Sequence, residues 1–127
     1  MRVVHEPQSA SDGEEHVLAS EVELAASTLA RTRGLMFRRS VPDDYALVFR
    51  FGREATRGLH MLFVPFDIDA VWLVEGEVQA VERLRAWLGH GRARADTVVE
   101  LPAGAADGVA PGDRVQVVGS GPDAPEG

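Results

Sequence analysis

The sequence predicts a strand-rich α+β domain, in which a compact, mostly antiparallel sheet curls into a partial barrel beside one or two short helices. Three observations predict this class. The chain has 127 residues, a length that fits one domain. Apolar residues recur at every second position in several short segments, as they do in half-buried strands. Turn residues separate these segments, and no long helices alternate with them, which argues against a doubly wound fold.

The N-terminal half predicts three strands and a short helix. We expect strands over residues 2–6, 16–26 and 45–51, because apolar side chains alternate there. Ser27 or Thr28 can cap a helix over 29–33, and Gly34 is placed to end it. Such a short helix needs packing to be stable.

The C-terminal half predicts five more strands, over 59–64, 68–74, 77–84, 97–101 and 114–118. Glu75-Gly76 has the length and chemistry of a two-residue hairpin turn. Residues 52–58 and 85–96 are expected to be loops, and 102–106 a helical turn opened by proline. We expect one globular domain over 1–118 and a disordered acidic tail over 119–127.

Composition excludes several classes of protein. There is no cysteine, which excludes a disulfide framework, thiol nucleophiles and cysteine metal sites. No apolar run approaches the roughly 18 residues of a membrane span, and residues 1–12 lack the apolar core of a signal peptide. We therefore expect a soluble, cytoplasmic protein with no membrane partner. Nothing in the composition predicts its oligomeric state.

The net charge of −7 is unevenly distributed. All 13 basic residues are arginine, and such an acidic, lysine-free chain suits a salt-rich cytoplasm, although GC-rich coding bias also favours arginine. Residues 28–58 hold seven arginines against three acids, and residues 83–94 hold four arginines and no acid. A nucleic-acid binder is not expected from an acidic chain, whereas a small anion pocket lined by arginine is compatible with these segments.

Two ionisable residues lie on apolar faces of neighbouring strands. His60 shares a face with Leu62 and Val64, and Asp69 shares one with Val71 and Leu73. An unpaired charge there would be costly, so each needs a partner. If the two strands pair, His60 and Asp69 could meet, either to orient an imidazole for base catalysis or as a buried structural contact.

Other candidates carry weaker signals. Asp67 and Asp69 could bind a cation, but no third ligand is fixed by spacing, so no metal or other cofactor is expected. Arg33 and Arg38 could converge on a carboxylate or phosphate, or Arg33 could simply suit the end of the short helix. Trp87, in an arginine-bearing loop, could cover a ligand or anchor the loop by burial.

Three blocks of the sequence resemble one known family. They are Arg-Gly-Leu-Met-Phe-Arg over 33–38, the block from His60 to Leu73 that contains Phe63 and Asp69, and Glu100 to Gly104 followed by Gly112-Asp113. Together they resemble the uncharacterised domain of unknown function family 192 of bacteria and archaea. The resemblance implies a small strand-rich domain and supplies no activity. Its motif positions include Arg33, Arg38, His60, Asp69 and Glu100.

These residues and Trp87 support three hypotheses of function. The favoured one is a binding module, in which Arg33, Arg38, His60, Asp69, Glu100 and Trp87 surround a small anion or the carboxylate of a protein partner. The second is a structural or interaction domain in which a buried polar network specifies the fold. The third is a hydrolase with His60 as general base, which needs a nucleophile that no serine motif supplies. No residue is assigned a catalytic role.

Overall fold

The computed structural model describes residues 1–9, 14–25, 35–36 and 38–119. These residues form eight strands and, within those ranges, no helix. The predicted helix over 29–33 lies outside them, as do residues 120–127 of the predicted tail. The strands are β1 (Arg2–Glu6), β2 (His16–Ala19), β3 (Glu21–Leu24), β4 (Tyr45–His60), β5 (Ile68–Val74), β6 (Glu77–Leu84), β7 (His90–Pro102) and β8 (Arg114–Val118).

The predicted helical turn over 102–106 is wrong. The backbone there makes successive tight turns, with Ala105 N donating to Pro102 O at 3.0 Å and Asp107 N donating to Gly104 O at 3.2 Å. Gly104 has a φ of +98°, which a right-handed helix cannot contain. The segment therefore turns about Gly104 after β7 ends.

The strands form one sheet in the order β2-β1-β8-β6-β5-β7-β4-β3, in which only the β3–β4 pair is parallel. Hydrogen bonds do not close it into a barrel, since β2 and β3 are its edges. One residue, Ser20, nevertheless joins these two edges, so Ala19 and Glu21 can be no more than about 7 Å apart. The sheet must therefore roll until its edges are neighbours. Ser20 N and Glu21 N both donate to Asp44 O at 2.9 Å.

Two apolar clusters lie on opposite faces of the sheet, because Val71 and Trp72 are consecutive in β5 and point to opposite sides. The Val71 cluster takes side chains from all eight strands, counting the partly buried Val22 and Leu24 of β3, so it fills the inside of the roll. The Trp72 cluster covers the outer face, where Leu35, Met61 and Val64 pack against the central strands. Tyr45 to Phe49 are buried throughout because β4 is covered on both faces.

Two predicted loops belong to strands. Residues 52–58 continue β4 and most of 85–96 belongs to β7, so that these strands pair from Ala55↔Ala95 to His60↔His90. The ladder shifts register between Arg50 and Ala55, near Gly52 with a φ of +83°. This β4–β7 ribbon (55–60 and 90–95) is largely solvent-exposed, so its strands can carry charged residues. The predicted strand over 59–64 correspondingly ends at His60.

The hairpin between β5 and β6 is confirmed. Glu75 and Gly76 both have positive φ, +49° and +83°, as a tight primed turn requires. The predicted strand over 16–26 is instead two strands, because the chain bends at Ser20 to pass from one edge of the sheet to the other.

Candidate functional site

Glu100 is a buried carboxyl group without a hydrogen bond on one of its oxygens. It lies in β7 opposite Leu47 of β4 and Ala70 of β5, which places it on the outer face with the Trp72 cluster. The residue is 6% exposed, and no described residue donates to its Oε1. Burial raises the pKa of Glu100 to about 8, although the nearby charge of Arg38 lowers it in part. The carboxyl group is therefore mainly protonated at pH 7.

Arg38 belongs to a polar cluster beside Glu100. Its Nη1 donates to the Tyr45 hydroxyl at 3.0 Å and its Nη2 donates to Glu23 Oε1 at 3.1 Å. The Tyr45 hydroxyl donates to the same Glu23 oxygen at 2.6 Å, and this hydrogen bond is the main reason that the pKa of Glu23 is lowered. Burial raises the pKa of Tyr45 above its ordinary value. Arg38 is thus a partly buried cation that donates to Tyr45 and Glu23 among the described residues.

Asp69 is buried on the opposite face, and both of its carboxylate oxygens accept hydrogen bonds from the protein. Its Oδ1 accepts from Nε of Arg83, its cross-strand neighbour in β6. Its Oδ2 accepts from Gly104 N at 3.0 Å and Ala106 N at 2.9 Å. Asp69 thus ties β5 to β6 and holds the turn that follows β7.

His60 does not meet Asp69. Strand β4 pairs with β3 and β7, so it has no ladder with β5. His60 is exposed at the end of β4, directly opposite His90, and its Nδ1 accepts from Leu62 N at 3.3 Å. Its partner His90 lies ten residues from Glu100 along β7, about 33 Å of strand. The hypothesis of a His60–Asp69 pair is therefore wrong for this structure.

Two predicted residues remain, Trp87 and Arg33. Trp87 lies in the turn between β6 and β7 and is 54% exposed, so burial does not anchor the loop through this ring. Arg33 lies outside the described residues and stays a prediction. The structure thus associates Arg38 with Glu100 and places Asp69, His60 and Trp87 elsewhere.

Sequence reasoning missed a histidine–aspartate pair elsewhere in the fold. Buried His5 in β1 lies 2.8 Å, Nε2 to Oδ2, from Asp113, which precedes β8. Burial alone would raise the pKa of Asp113, but hydrogen bonds from Gln8 N, His5 and Ala110 N lower it. The Gly112-Asp113 motif was visible in the sequence. The partner of Asp113 is His5, which lies 108 residues away in the sequence. The pairing of β1 with β8 brings the two together, and the sequence alone does not show that pairing.

No three histidine, aspartate or glutamate side chains in the described ranges converge well enough to hold a metal ion. Within the same ranges, no helix has the length and hydropathy needed to cross a membrane. The candidate site is the buried Glu100 carboxyl, whose Oε1 has no described donor, with Arg38 nearby.

The comparison with known families agrees with this architecture. The model of the DUF192 family, described as an uncharacterised ACR, matches residues 8–117. The chain belongs to the DUF192 family. The UPF0127 protein TK1120 of Thermococcus kodakarensis is 35% identical to it over 88 residues, which span 66% of this chain and 55% of that relative. The match thus extends over about half the length of the curated relative.

Two solved structures share the fold. A structure of a proposed transcription regulator from Sinorhizobium meliloti 1021 matches with a TM-score of 0.74 and 26% identity, over 91% of this chain and 92% of that one. A protein of unknown function from Novosphingobium aromaticivorans matches with a TM-score of 0.73 and 21% identity, over 92% of this chain and 84% of the other. Membership in DUF192 adds no activity, so function must be argued from the site itself.

Proposed function

We propose that this DUF192 chain binds a small anionic molecule of the carboxylate class at Glu100 and Arg38. The single observation that carries the proposal is the buried Oε1 of Glu100, to which no described residue donates a hydrogen bond. Leaving a buried polar atom unsatisfied costs about 1–3 kcal/mol, so native folds rarely tolerate it without a function. A bound molecule that hydrogen-bonds to this carboxyl group removes that cost.

The protonation state of Glu100 favours an anion. With a pKa of about 8, the carboxyl group at pH 7 carries a proton that it can donate to a ligand carboxylate. The Arg38 guanidinium supplies the positive charge and further N–H donors for the second carboxylate oxygen. The ligand can equally be the carboxylate of a protein partner, since the same groups recognise both.

Two alternatives have different support. Asp69 fits a structural role, because its contacts with Arg83, Gly104 and Ala106 use both of its oxygens. Glu100 differs from it because no described residue donates to its Oε1. A hydrolase based on His60 has no support from geometry, because Asp69 does not orient its imidazole. The proposed function is binding without catalysis. We also keep the proposal that the protein works in a salt-rich cytoplasm.

Thermal shift and calorimetric titration with acetate, propionate, succinate and inorganic phosphate test the proposal. We expect at least one of the carboxylates to raise the melting temperature at pH 6.5. The effect should shrink at pH 9, because ionised Glu100 repels an anion and can no longer donate a proton. Inorganic phosphate is the comparison anion, because it is negatively charged but is not a carboxylate.

Variants assign any response to the site. Arg38→Gln and Glu100→Ala should abolish the carboxylate response, whereas Glu100→Gln keeps an amide donor and part of the affinity. Arg94→Gln and Glu54→Gln alter an exposed ion pair of the same chemistry, with Nε to Oε2 at 2.9 Å, and should respond like the wild type. The proposal fails if none of the carboxylates shifts the wild type, or if Arg38→Gln and Glu100→Ala respond as the wild type does.

A further inference from the structure

Four large apolar side chains are exposed together at the end of the β4–β7 ribbon. They belong to the turn after β4 and to the turn before β7, and we call them the apolar tip. Leu62 is 53% exposed, Phe63 42%, Trp87 54% and Leu88 72%. Most of the other large apolar residues described are buried or partly buried, so the tip is the main concentration of exposed apolar side chains among them. Such a patch marks a surface that contacts something apolar.

The fold holds the two turns of the tip together. Met61 N donates to Gly89 O at 2.9 Å, which extends the β4–β7 ladder by one bond. Trp87 N donates to Val64 O at 3.0 Å, and the backbone of Arg85 lies so close to Gly89 that a Cβ there would be 2.5 Å from its nitrogen. The tip is therefore built from tightly packed backbone.

Two of the exposed residues have a strained backbone conformation. Phe63 and Trp87 have φ values of +63° and +66°, the left-handed region that large residues rarely occupy. Glycine would adopt this backbone without strain, yet both positions carry an aromatic ring. Strain of this kind is retained where surrounding structure supports a function.

Four basic residues lie around the base of the tip, and we call them the basic collar: His60, Arg85, His90 and Arg92. His60 and His90 face each other across the ribbon directly behind the tip, and Arg92 follows on the same face as His90. Arg85 lies in the turn itself, and no described acid forms an ion pair with Arg85 or Arg92.

Two acids lie near this collar. Oδ1 of Asp67 accepts from Ala86 N at 2.8 Å and so serves the turn. Glu82 lines an open cleft together with His60, His90 and Arg92. The four apolar residues of the tip do not line this cleft.

We propose that the apolar tip inserts into the interface of an anionic lipid bilayer, with the basic collar on the lipid headgroups. Leucine and tryptophan side chains on exposed turns enter such an interface, and tryptophan prefers the headgroup level. Arginine side chains behind them meet the negative surface potential. An apolar peptide would instead need an apolar groove, and the cleft beside the tip carries the ionisable side chains of His60, Glu82, His90 and Arg92.

This proposal replaces the expectation from the sequence that no membrane is involved. That expectation considered only spanning helices and leader segments, and a peripheral contact requires neither. It rests on different residues from ligand binding at Glu100, because the tip adjoins His90 at the start of β7 and Glu100 lies ten residues further along that strand.

Vesicle sedimentation tests the contact with the whole chain. The probes are vesicles of phosphatidylcholine alone and vesicles that also contain phosphatidylglycerol. We expect binding to the anionic vesicles, a smaller bound fraction at high salt, and a blue shift of Trp87 emission, since Trp72 is already buried. Brominated lipids should quench Trp87 in the wild type, a result that depends on no variant.

Matched substitutions locate the surface. Leu88→Ser with Trp87→Ser should weaken binding by roughly tenfold or more, and Arg92→Gln by about fivefold. Val17→Ser removes an apolar residue that is 53% exposed in β2, away from the tip, and should bind like the wild type. The proposal is overturned if no vesicle binds, if the tip variant binds unchanged while folded, or if sedimentation without lipid shows that the tip joins two copies of the chain.

Discussion

Asp69 and Glu100 are both buried carboxyl groups of neighbouring strands, yet their surroundings differ. Asp69 faces the inside of the roll and accepts from Arg83, Gly104 and Ala106. Glu100 faces the outer side with an oxygen that no described group satisfies. Asp69 therefore stabilises the fold, whereas Glu100 is the group to which we assign ligand binding in our proposal.

Replacing Asp69 by alanine should destabilise the protein strongly. The change leaves the N–H groups of Gly104 and Ala106 without their acceptor, so we expect a loss of about 2–4 kcal/mol in the free energy of unfolding. Urea denaturation measures it. Asp107→Ala removes the exposed partner of the same Arg83 and should barely change stability. Equal losses for the two variants would contradict the structural role of Asp69.

The raised pKa of Glu100 should make stability depend on pH. Between its ordinary pKa of 4.5 and the folded value of about 8, the folded protein holds a proton that the unfolded chain has lost. Stability therefore falls as pH rises through this window, by up to about 1.4 kcal/mol per pH unit. Urea denaturation at pH 5, 6, 7 and 8 should show a shallower fall for Glu100→Gln. Parallel curves for the two proteins would disprove the shift.

Residue patterns predicted part of the surroundings of Asp69. Period-two alternation correctly placed Asp69 on a buried face, because burial follows from the strand itself. It could not supply the partner, since Arg83 meets Asp69 only through the register of β5 with β6. The expected meeting of His60 and Asp69 was wrong because β7, distant in sequence, lies between β4 and β5.

At the scale of elements, local chemistry predicted the β5–β6 hairpin, whereas solvent-exposed strands escaped prediction. The tight turn could be predicted from Glu75 and Gly76 alone, because a two-residue connection that contains glycine suits a primed hairpin turn. The outer parts of β4 and β7 carry arginines on their exposed face and mostly small residues on the face that packs against the Trp72 cluster, so they resembled loops. Gly91 is required by packing, since a Cβ there would lie 3.2 Å from Trp72 Cη2.

The hairpin turn should be improved by one substitution. Glu75 has a φ of +49°, which asparagine adopts more readily, so Glu75→Asn should raise the free energy of unfolding by about 0.5–1 kcal/mol. Gly76→Ala should have the opposite effect, because its Cβ would lie 2.7 Å from Arg114 Nη2 at a φ of +83°. Thermal melting compares the two. Stabilisation by Gly76→Ala would contradict the turn geometry.

At the scale of the whole molecule, the roll depends on contacts between residues distant in sequence. Ser20 joins the two edge strands, and β1 pairs with β8, so the two ends of the described chain lie side by side. Sequence periodicity identified most of the strands and their mostly antiparallel arrangement, but strand order requires knowing which distant segments pair. The sequence therefore could not predict which strands are the edges of the sheet.

The His5–Asp113 contact should stabilise this closure. His5→Ala leaves buried Asp113 without one donor, so we expect a loss of about 1–3 kcal/mol. Because the pKa of folded Asp113 is lowered, its contribution is present above the ordinary value of 3.8 and is lost as pH falls through the folded pKa. Denaturation at pH 7 and pH 3 measures both effects. His16→Ala, at an exposed contact with Glu14, serves as the control, and an equal loss there would refute the assignment.

A carbon-detected NMR titration of the Glu100 carboxyl group, with and without succinate, tests the ligand site most directly. We predict a midpoint at about 8 for the free protein, and a higher midpoint when the anion is bound, because the anion favours the protonated acid. Arg38→Gln should also raise the midpoint of the free protein, since the Arg38 charge lowers it. A midpoint near the ordinary value of 4.5 that does not move with succinate would contradict a protonated, anion-binding Glu100.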